Sequence, residues 1–299
     1  MDGIIPINKE RKMTSHDVVA KIRRILHTKR VGHSGTLDPN VDGVLIVCVG
    51  KATKVSDYLM NSGKIYRGKI TLGFSTITED LDGEVIASKV LKIPFTDEEL
   101  AKTFNSLTGE IIQIPPMYSA VKVNGRKLYE YARSGEEVER PQRMVSITEF
   151  HQIGKSEFDE KRGTQTIKFE VKCSKGTYVR TLAVDFGKKL GVPAVMSDLT
   201  RMSSGGFDLS HTITLNDLSE KVKNQDYSFL HPIETVFKNL ITYNLSSDEL
   251  EKVQNGAWLR LNMNDDQLLL KYNDRLQAVY KRDSETNLYR PEKMFLLED

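Results

Sequence analysis

A single aspartate stands in the part of the sequence best suited to chemistry. Asp38 lies between Gly35 and Gly43, with Pro39 directly after it and an apolar run at residues 44–49. Glycines allow a tight loop that approaches other backbone closely, and proline fixes the backbone beside the carboxylate. A carboxylate held in this way can attack an electrophilic carbon, accept a proton or stabilise a positive charge. The alternative is structural, because Asp-Pro also marks turns and Asp38 could simply cap one.

Other familiar motifs do not fit this region. The apolar run ends in Gly50-Lys51, but the glycine spacing is wrong for a phosphate-binding loop and Ala52 stands where a metal-binding hydroxyl is needed. Residues 33–35 do not complete the G-x-S-x-G turn of serine hydrolases. The six histidines form no metal-ligand pattern, and the two cysteines lack the spacing of zinc or redox sites. We therefore expect no metal, and two reduced structural thiols.

The elements around Asp38 can be predicted from hydrophobic spacing and from end signals. Thr14 and Asp17 form a capping-box pattern before an amphipathic helix, and the apolar run at residues 44–49 is typical of a buried strand. Helices and strands are mixed without internal repeats. The sequence further predicts strands at residues 66–74 and 165–173, a capped helix at residues 96–107, and a helix that follows Thr177 and stops at Gly191.

The composition of the chain changes near its end, which predicts two domains. Residues 1–232 hold 34 Lys and Arg against 29 Asp and Glu, whereas residues 233–299 hold 9 against 12. Short strand-like segments at residues 268–272 and 276–280 alternate with turn signals, as in a small β-barrel. We assign residues 1–232 to a first domain and residues 238–299 to a second.

Two cationic segments of the first domain suit contact with nucleic acid, although the net charge of +2 alone identifies no partner. Residues 21–30 contain five Lys or Arg and no acid, a pattern that a solvated helix face would also show. Residues 114–143 carry a predicted hairpin turn at Asn124-Gly125 and interleave cations with tyrosines, which can stack on and bracket RNA. A surface insertion without a partner is the plainer alternative.

Hydropathy argues against a membrane protein. The longest apolar run is far shorter than a membrane-spanning helix requires, and the N-terminus lacks the pattern of a secretion signal. We expect a cytoplasmic protein, with a monomer as the default state.

Four motifs occur in a fixed order along the chain, and together they form a highly specific sequence signature. They are NK with MTSHD (residues 8–9 and 13–17), GHSGTLDP (residues 32–39), KIY (residues 64–66), and SKGTYVRTL followed by LTR (residues 174–182 and 199–201).

With these motifs the chain resembles the TruB family of bacterial tRNA pseudouridine-55 synthases. The resemblance covers residues 4–207, and the tail is more loosely similar to PUA domains. It implies an α+β pseudouridine-synthase fold with a mixed, largely antiparallel sheet and a central cleft, an RNA-gripping insertion at residues 114–143, and a small C-terminal PUA-like β-barrel. It also implies that uridine 55 in the T-loop of tRNA is flipped, cleaved from its ribose and rejoined through carbon, without a cofactor.

The resemblance also assigns roles to individual side chains. Asp38 would act on the ribose, Arg180 would pair with Asp38, and Tyr66 would lie against the flipped base and help to move its C5 proton. The remaining site residues would be Tyr178 in the uridine pocket, Leu199 in its apolar wall, His33 against the rearranged RNA and Lys9 as a support.

The implied partner is tRNA, bound through its T-loop and T-stem, with no membrane and no obligatory protein partner. A non-catalytic RNA-binding or tRNA-folding protein would share the cationic segments and the tail. The pairing of Asp38 with Arg180 favours an enzyme, because a buried acid does not help to bind an anionic ligand. A glycosidase or hydrolase would call for a second carboxylate or an activated water, and the sequence implicates no second acid.

The first motif departs from the family at two positions. Glu10 replaces the usual proline, and Lys12 replaces the usual glycine, so we expect a less rigid loop. Val41 stands where a small residue is usual, which should affect packing more than chemistry.

Overall fold

A computed structural model describes residues 1–297 of the 299-residue chain. In this range the strands form a ten-stranded sheet, a four-stranded sheet and two small hairpins. None of the helices in residues 1–297 is long and apolar enough to cross a membrane.

The strands are β1 (Gly3–Lys9), β2 (Val31–His33), β3 (Asp42–Val49), β4 (Lys64–Leu72), β5 (Phe74–Thr76), β6 (Val85–Ser88), β7 (Gly109–Gln113), β8 (Lys122–Val123), β9 (Arg126–Lys127), β10 (Arg143–Gln152), β11 (Glu157–Asp159), β12 (Thr164–Cys173), β13 (Ala194–Ser204), β14 (Phe207–Asp208), β15 (Ile241–Asn244), β16 (Gln267–Tyr272), β17 (Arg275–Arg282) and β18 (Tyr289–Met294). The helices are α1 (Ser15–Ile25), α2 (Ser56–Asn61), α3 (Asp97–Ser106), α4 (Leu128–Ser134), α5 (Val179–Lys189), α6 (Leu215–Lys223) and α7 (Ser247–Gln254).

The large sheet runs in the order β1-β3-β13-β4-β12-β10-β7, with β2, β11 and β14 paired at its sides. Only the β3–β13 pair is parallel, and the other strands of this path pair antiparallel. The predicted mixed, largely antiparallel sheet is therefore confirmed. The GHSGTLDP motif leads into β3, LTR lies on β13 and KIY lies on β4. Because β3, β13 and β4 are neighbours, the sheet brings these three motifs close together.

The predicted elements near Asp38 are confirmed. Thr14 caps α1 with a complete capping box to Asp17, and every residue of β3 after Asp42 is buried. The strand predicted at residues 66–74 begins earlier, at Lys64, and ends before Gly73. Gly73 has φ +115°, a left-handed conformation that interrupts the strand and turns the chain into β5.

A cluster of aromatic rings holds helices against the large sheet. Phe104 on α3 and Phe186 on α5 lie 4.6 Å apart between ring centroids, and Phe150 on β10 lies 4.6 Å from Phe104. These rings belong to one continuous buried core that also contains Val18 and Ile22 of α1. The two cysteines, Cys48 and Cys173, are free and buried, as predicted.

The C-terminal part forms a four-stranded sheet in the order β15-β16-β17-β18. The strands predicted at residues 268–272 and 276–280 are confirmed in β16 and β17. The expected barrel is not closed within residues 1–297. This sheet also shares a core with the large one, because Leu276, Val279 and Phe295 pack in one buried cluster with Val44 and Ile46 of β3.

Candidate active site

A cavity of about 810 Å³ opens at the middle of the large sheet. It is lined by five of the seven side chains selected from the sequence, namely Asp38, Tyr66, Tyr178, Arg180 and Leu199. These residues come from a loop, two strands and the start of a helix that are far apart in the chain. The fold therefore assembles one chemical site from separate motifs.

The loop that carries Asp38 is tied down on both sides of the aspartate. Ser15, at the start of α1, accepts a hydrogen bond from the Leu37 amide at 2.9 Å and donates to the Leu37 carbonyl at 3.2 Å. Lys9 donates from Nζ to the Pro39 carbonyl at 3.2 Å. Both bonding side chains are fully buried, so the carboxylate stands on a rigid support.

The glycine after the aspartate loop is required by close backbone contact. Gly43 has φ +103°, and a Cβ atom there would lie 2.2 Å from the carbonyl oxygen of Arg201 on β13. Any side chain would push apart the two parallel strands at the point where the loop ends. The close approach inferred from the sequence thus has a definite partner.

Arg180 connects the loop that carries Asp38 to two other segments. Its Nε atom lies 3.1 Å from Oδ2 of Asp38 and 3.7 Å from Oδ2 of Asp80. Its Nη1 and Nη2 atoms donate to the carbonyls of Thr78 and Tyr118, at 3.0 Å each. The side chain is only 8% exposed, so the guanidinium is held in one orientation.

The electrostatics of Asp38 reflect opposing influences. Burial raises the pKa of the Asp38 carboxyl above its ordinary value, Arg180 acts to lower it, and Asp80 adds a further rise through charge repulsion. Arg180 therefore opposes the effect of burial and favours the ionised form of Asp38.

Aromatic and apolar side chains form part of the cavity wall. Tyr66 on β4 is buried, and burial raises the pKa of its phenol. Leu199 faces Gly68 so closely that a Cβ on this glycine would lie 2.9 Å from Leu199 Cδ1. Tyr178 is fixed through its backbone, because the buried Gln113 amide donates to its carbonyl at 3.2 Å and accepts from its N–H at 3.0 Å.

The insertion at residues 114–143 uses its tyrosines partly for its own structure. The predicted turn is present, with Asn124 and Gly125 both at positive φ between β8 and β9. Tyr131 is buried, its hydroxyl donates to the Val123 carbonyl, and the Arg126 guanidinium lies 4.3 Å from its ring centroid. This ring is therefore not available to stack on RNA, contrary to the general expectation for these tyrosines.

Two family models match adjacent parts of the chain, which together span residues 23–238. The model for the TruB family pseudouridylate synthase, N-terminal domain, matches residues 23–179, and the model for the tRNA pseudouridylate synthase B C-terminal domain matches residues 180–238. The chain belongs to the TruB family.

Relatives of this TruB family member match it over nearly its whole length. The tRNA pseudouridine synthase B of Pediococcus pentosaceus is 58% identical over 299 residues, covering 99% of this chain and 100% of the relative. That of Latilactobacillus sakei is 55% identical, covering 99% and 98%. Among solved structures, a Cbf5-Nop10-Gar1 complex matches with a TM-score of 0.72 and 27% identity, over 98% of this chain and 85% of the matched chain.

Two selected residues of the TruB family chain do not line the cavity. Lys9 is fully buried, donates to three backbone carbonyls, and has its pKa lowered to about 8 by burial. His33 packs edge-on against His16, with ring centroids 5.4 Å apart, and its Nδ1 is buried without a hydrogen-bond partner in residues 1–297. Burial lowers the His33 pKa, which favours the neutral ring.

Asp80 and Gln113 support the site but could not be recognised from the sequence. Asp80 lies in a turn where its carboxylate accepts from the Thr78 hydroxyl at 2.6 Å, and this turn supplies a carbonyl to Arg180. Acidic residues are common in turns, so nothing local marks this one. Gln113 ends an ordinary strand, and only the folded chain brings it to Tyr178.

Proposed function

We propose that this protein isomerises uridine 55 in the T-loop of tRNA to pseudouridine. Membership of the TruB family and the relatives named tRNA pseudouridine synthase B support the proposal. The observation that carries it is the 3.1 Å contact between Arg180 and Asp38 inside a cavity that also holds Tyr66. A protein that only bound RNA would gain nothing from a carboxylate in the path of an anionic ligand.

The reaction exchanges one bond to the ribose for another. The bond between N1 and C1′ breaks, the base turns, a bond forms between C5 and C1′, and the C5 proton is replaced by a proton on N1. Atoms and electrons balance, so neither an oxidant nor a reductant is needed. Asp38 assists by attacking or deprotonating the sugar, or by stabilising positive charge there, while the uracil leaves as an anion.

Access to the ribose requires the uridine to leave the stacked loop. Extrusion costs a few kcal/mol, which contacts in the enzyme must offset. In this proposal Tyr66 lies against the flipped base, Leu199 closes the apolar wall and Tyr178 lines the pocket. With the flipped base seated in it, the cavity would exclude water, so that the detached base rejoins the sugar and is not lost to hydrolysis.

Arg180 is proposed to keep Asp38 charged and correctly aimed. Its guanidinium remains protonated at any working pH, and its planar group can serve the carboxylate and two carbonyls at once. A lysine could supply the charge, but its single ammonium nitrogen could not serve the carboxylate and both carbonyls in the same geometry.

RNA outside the reacting nucleotide is proposed to contact the insertion at residues 114–143 and the C-terminal domain at residues 238–299. The T-stem would lie along these surfaces while the T-loop enters the cavity. We further propose that the protein works in the cytoplasm as a monomer, without an obligatory protein partner.

The direct test is to incubate the purified protein with an unmodified tRNA transcript and to map pseudouridine by position. The proposal expects one new pseudouridine, at position 55. A matched transcript with cytidine at position 55 should remain unmodified. Modification only at other positions would contradict the assignment of the target, and no modification would contradict the activity.

A further inference from the structure

Arg201 is a buried motif residue that has no role in the proposed reaction. It ends the LTR motif on β13, is 1% exposed, and is among the largest fully buried side chains of the protein. Within residues 1–297 no carboxylate lies within 4.0 Å of its guanidinium nitrogens. A buried cation without a carboxylate partner is costly, so its presence needs a reason.

The guanidinium joins two parts of the Asp38 support. Nε donates to the Val44 carbonyl on β3 at 2.7 Å, and Nη2 donates to the Gly35 carbonyl at 3.1 Å. Gly35 begins the turn that leads to Asp38, and it has φ +97°. These two bonds explain why a donor is present, but a neutral amide could also donate to carbonyls.

The position of the positive charge explains why this donor is an arginine and not a neutral amide. Arg201 and Tyr66 are direct partners in the β13–β4 ladder, so their side chains project from the same face of the sheet. Both line the cavity. Although burial raises the pKa of the Tyr66 phenol, the Arg201 charge acts to lower it. The cation therefore stabilises negative charge on the phenol oxygen.

We propose that Arg201 is a positioning residue that holds the Asp38 loop on the sheet and keeps a permanent positive charge beside the Tyr66 hydroxyl. The inference rests on the proposed function, in which Tyr66 helps to move the C5 proton. The Tyr66 hydroxyl gives its proton to N1, and the resulting phenolate takes the C5 proton. The electron pair of the C5–H bond then restores the C5=C6 double bond as the electrons of the N1=C6 double bond return to N1, and the phenol is regenerated. Arg201 stabilises the phenolate that precedes this transfer.

Two substitutions separate the charge from the hydrogen bonds. Arg201→Gln keeps planar donors but removes the charge, whereas Arg201→Lys keeps a charge but loses the planar group. In single-turnover assays at saturating tRNA and neutral pH, we expect a loss of roughly 100-fold for Arg201→Gln and about 10-fold or less for Arg201→Lys. The dissociation constant for tRNA should change by less than about threefold in both, since Arg201 is buried.

The pH dependence of Arg201→Lys gives a second readout. A lysine at this position would be buried near Lys64, whose pKa is lowered to about 8 by burial. The introduced lysine should therefore lose its charge as the pH rises through this range. The ratio of the single-turnover rate of the variant to that of the wild type should fall over the same range. Arginine does not titrate in this range. This test remains available if Arg201→Gln does not fold.

Controls distinguish this role from a merely structural one. Arg67 follows Tyr66 on β4 but is exposed and paired with Glu170, so Arg67→Gln should leave the rate nearly unchanged. In a Tyr66→Phe background, where long incubations are needed to measure the residual formation of pseudouridine, Arg201→Gln should lower the rate little further. The inference is overturned if the single-turnover rate of Arg201→Gln equals or exceeds that of Arg201→Lys. It is also overturned if Arg201→Gln lowers the rate as strongly in the Tyr66→Phe background as in the wild type. An inactive wild type would instead contradict the proposed function.

Discussion

Arg180 meets Asp38 through a single nitrogen, with Nε 3.1 Å from the carboxylate, because its other two nitrogens are bound to the carbonyls of Thr78 and Tyr118. The arginine is thus shared between the aspartate loop, the turn that carries Asp80 and the start of the insertion. Its geometry is fixed by three segments at once, which distinguishes it from a phosphate-binding cation on a mobile side chain.

Replacing Arg180 by lysine should impair chemistry more than binding. One ammonium group cannot serve the carboxylate and both carbonyls, and a misplaced carboxylate could cost roughly 100-fold in rate. We expect a sharp fall in the single-turnover rate at saturating tRNA and a modest change in dissociation constant. Filter binding and single-turnover assays over a salt series measure both quantities.

The matched control for that prediction is Arg24→Ala. Arg24 is exposed on α1, in the cationic segment at residues 21–30. Its loss should lower affinity and flatten the salt dependence while the saturated rate stays nearly intact. Arg23 is less suitable, because its guanidinium donates to the Val31 carbonyl at 3.0 Å. Equal rate losses in Arg180→Lys and Arg24→Ala would contradict the placement of Arg180 in the reaction.

The acidic limb of the pH–rate profile should report the Asp38 carboxyl. Because burial raises its pKa, protonation should begin at a higher pH than in an ordinary aspartate, and the rate should fall as the pH falls through that value. Arg180→Gln removes the cation that lowers this pKa, so the inflection of its residual activity should move to higher pH. An inflection that stays in place, or moves to lower pH, would contradict this electrostatic account.

Much of the fold could be predicted from the sequence because its signals are local. The Thr14 cap, the apolar run of β3 and the Asn124-Gly125 turn each depend on a few adjacent residues. The other partners of Arg180, namely Asp80 and the carbonyls of Thr78 and Tyr118, could not be found in this way because they are distant in the chain. The burial of Tyr131 could not be predicted either, because it depends on packing within the folded insertion.

The substitution at residue 12 should carry a measurable cost in stability. Lys12 has φ +63°, in the left-handed region that favours glycine, and the family usually has glycine here. We expect Lys12→Gly to raise the free energy of unfolding by about 0.5–1 kcal/mol. This is the net gain, because relief of the backbone strain outweighs the greater flexibility that glycine gives the unfolded chain. Lys12→Ala, which keeps the strain, should give no such gain in denaturant unfolding. Equal effects of the two variants would show that strain is not the cause.

Deleting residues 238–299 should weaken tRNA binding and also destabilise what remains. The deletion would remove Leu276 and Phe295 from the buried cluster that also contains Val44 and Ile46 of β3. We expect a lower melting temperature and binding of a hydrophobic dye. Phe295→Ala, which opens a cavity in the same cluster, should cost about 3 kcal/mol. Unchanged melting and unchanged tRNA affinity after the deletion would contradict the shared core and the proposed RNA-binding role.

The central claim is that the charge on Asp38 drives the isomerisation. Asp38→Asn nearly preserves the shape of the side chain but removes that charge, so the variant should melt like the wild type and bind tRNA with similar affinity. The decisive measurement is pseudouridine at position 55 after incubation of this variant with unmodified tRNA transcript under single-turnover conditions. The account predicts no detectable product, and formation at the wild-type rate would contradict it.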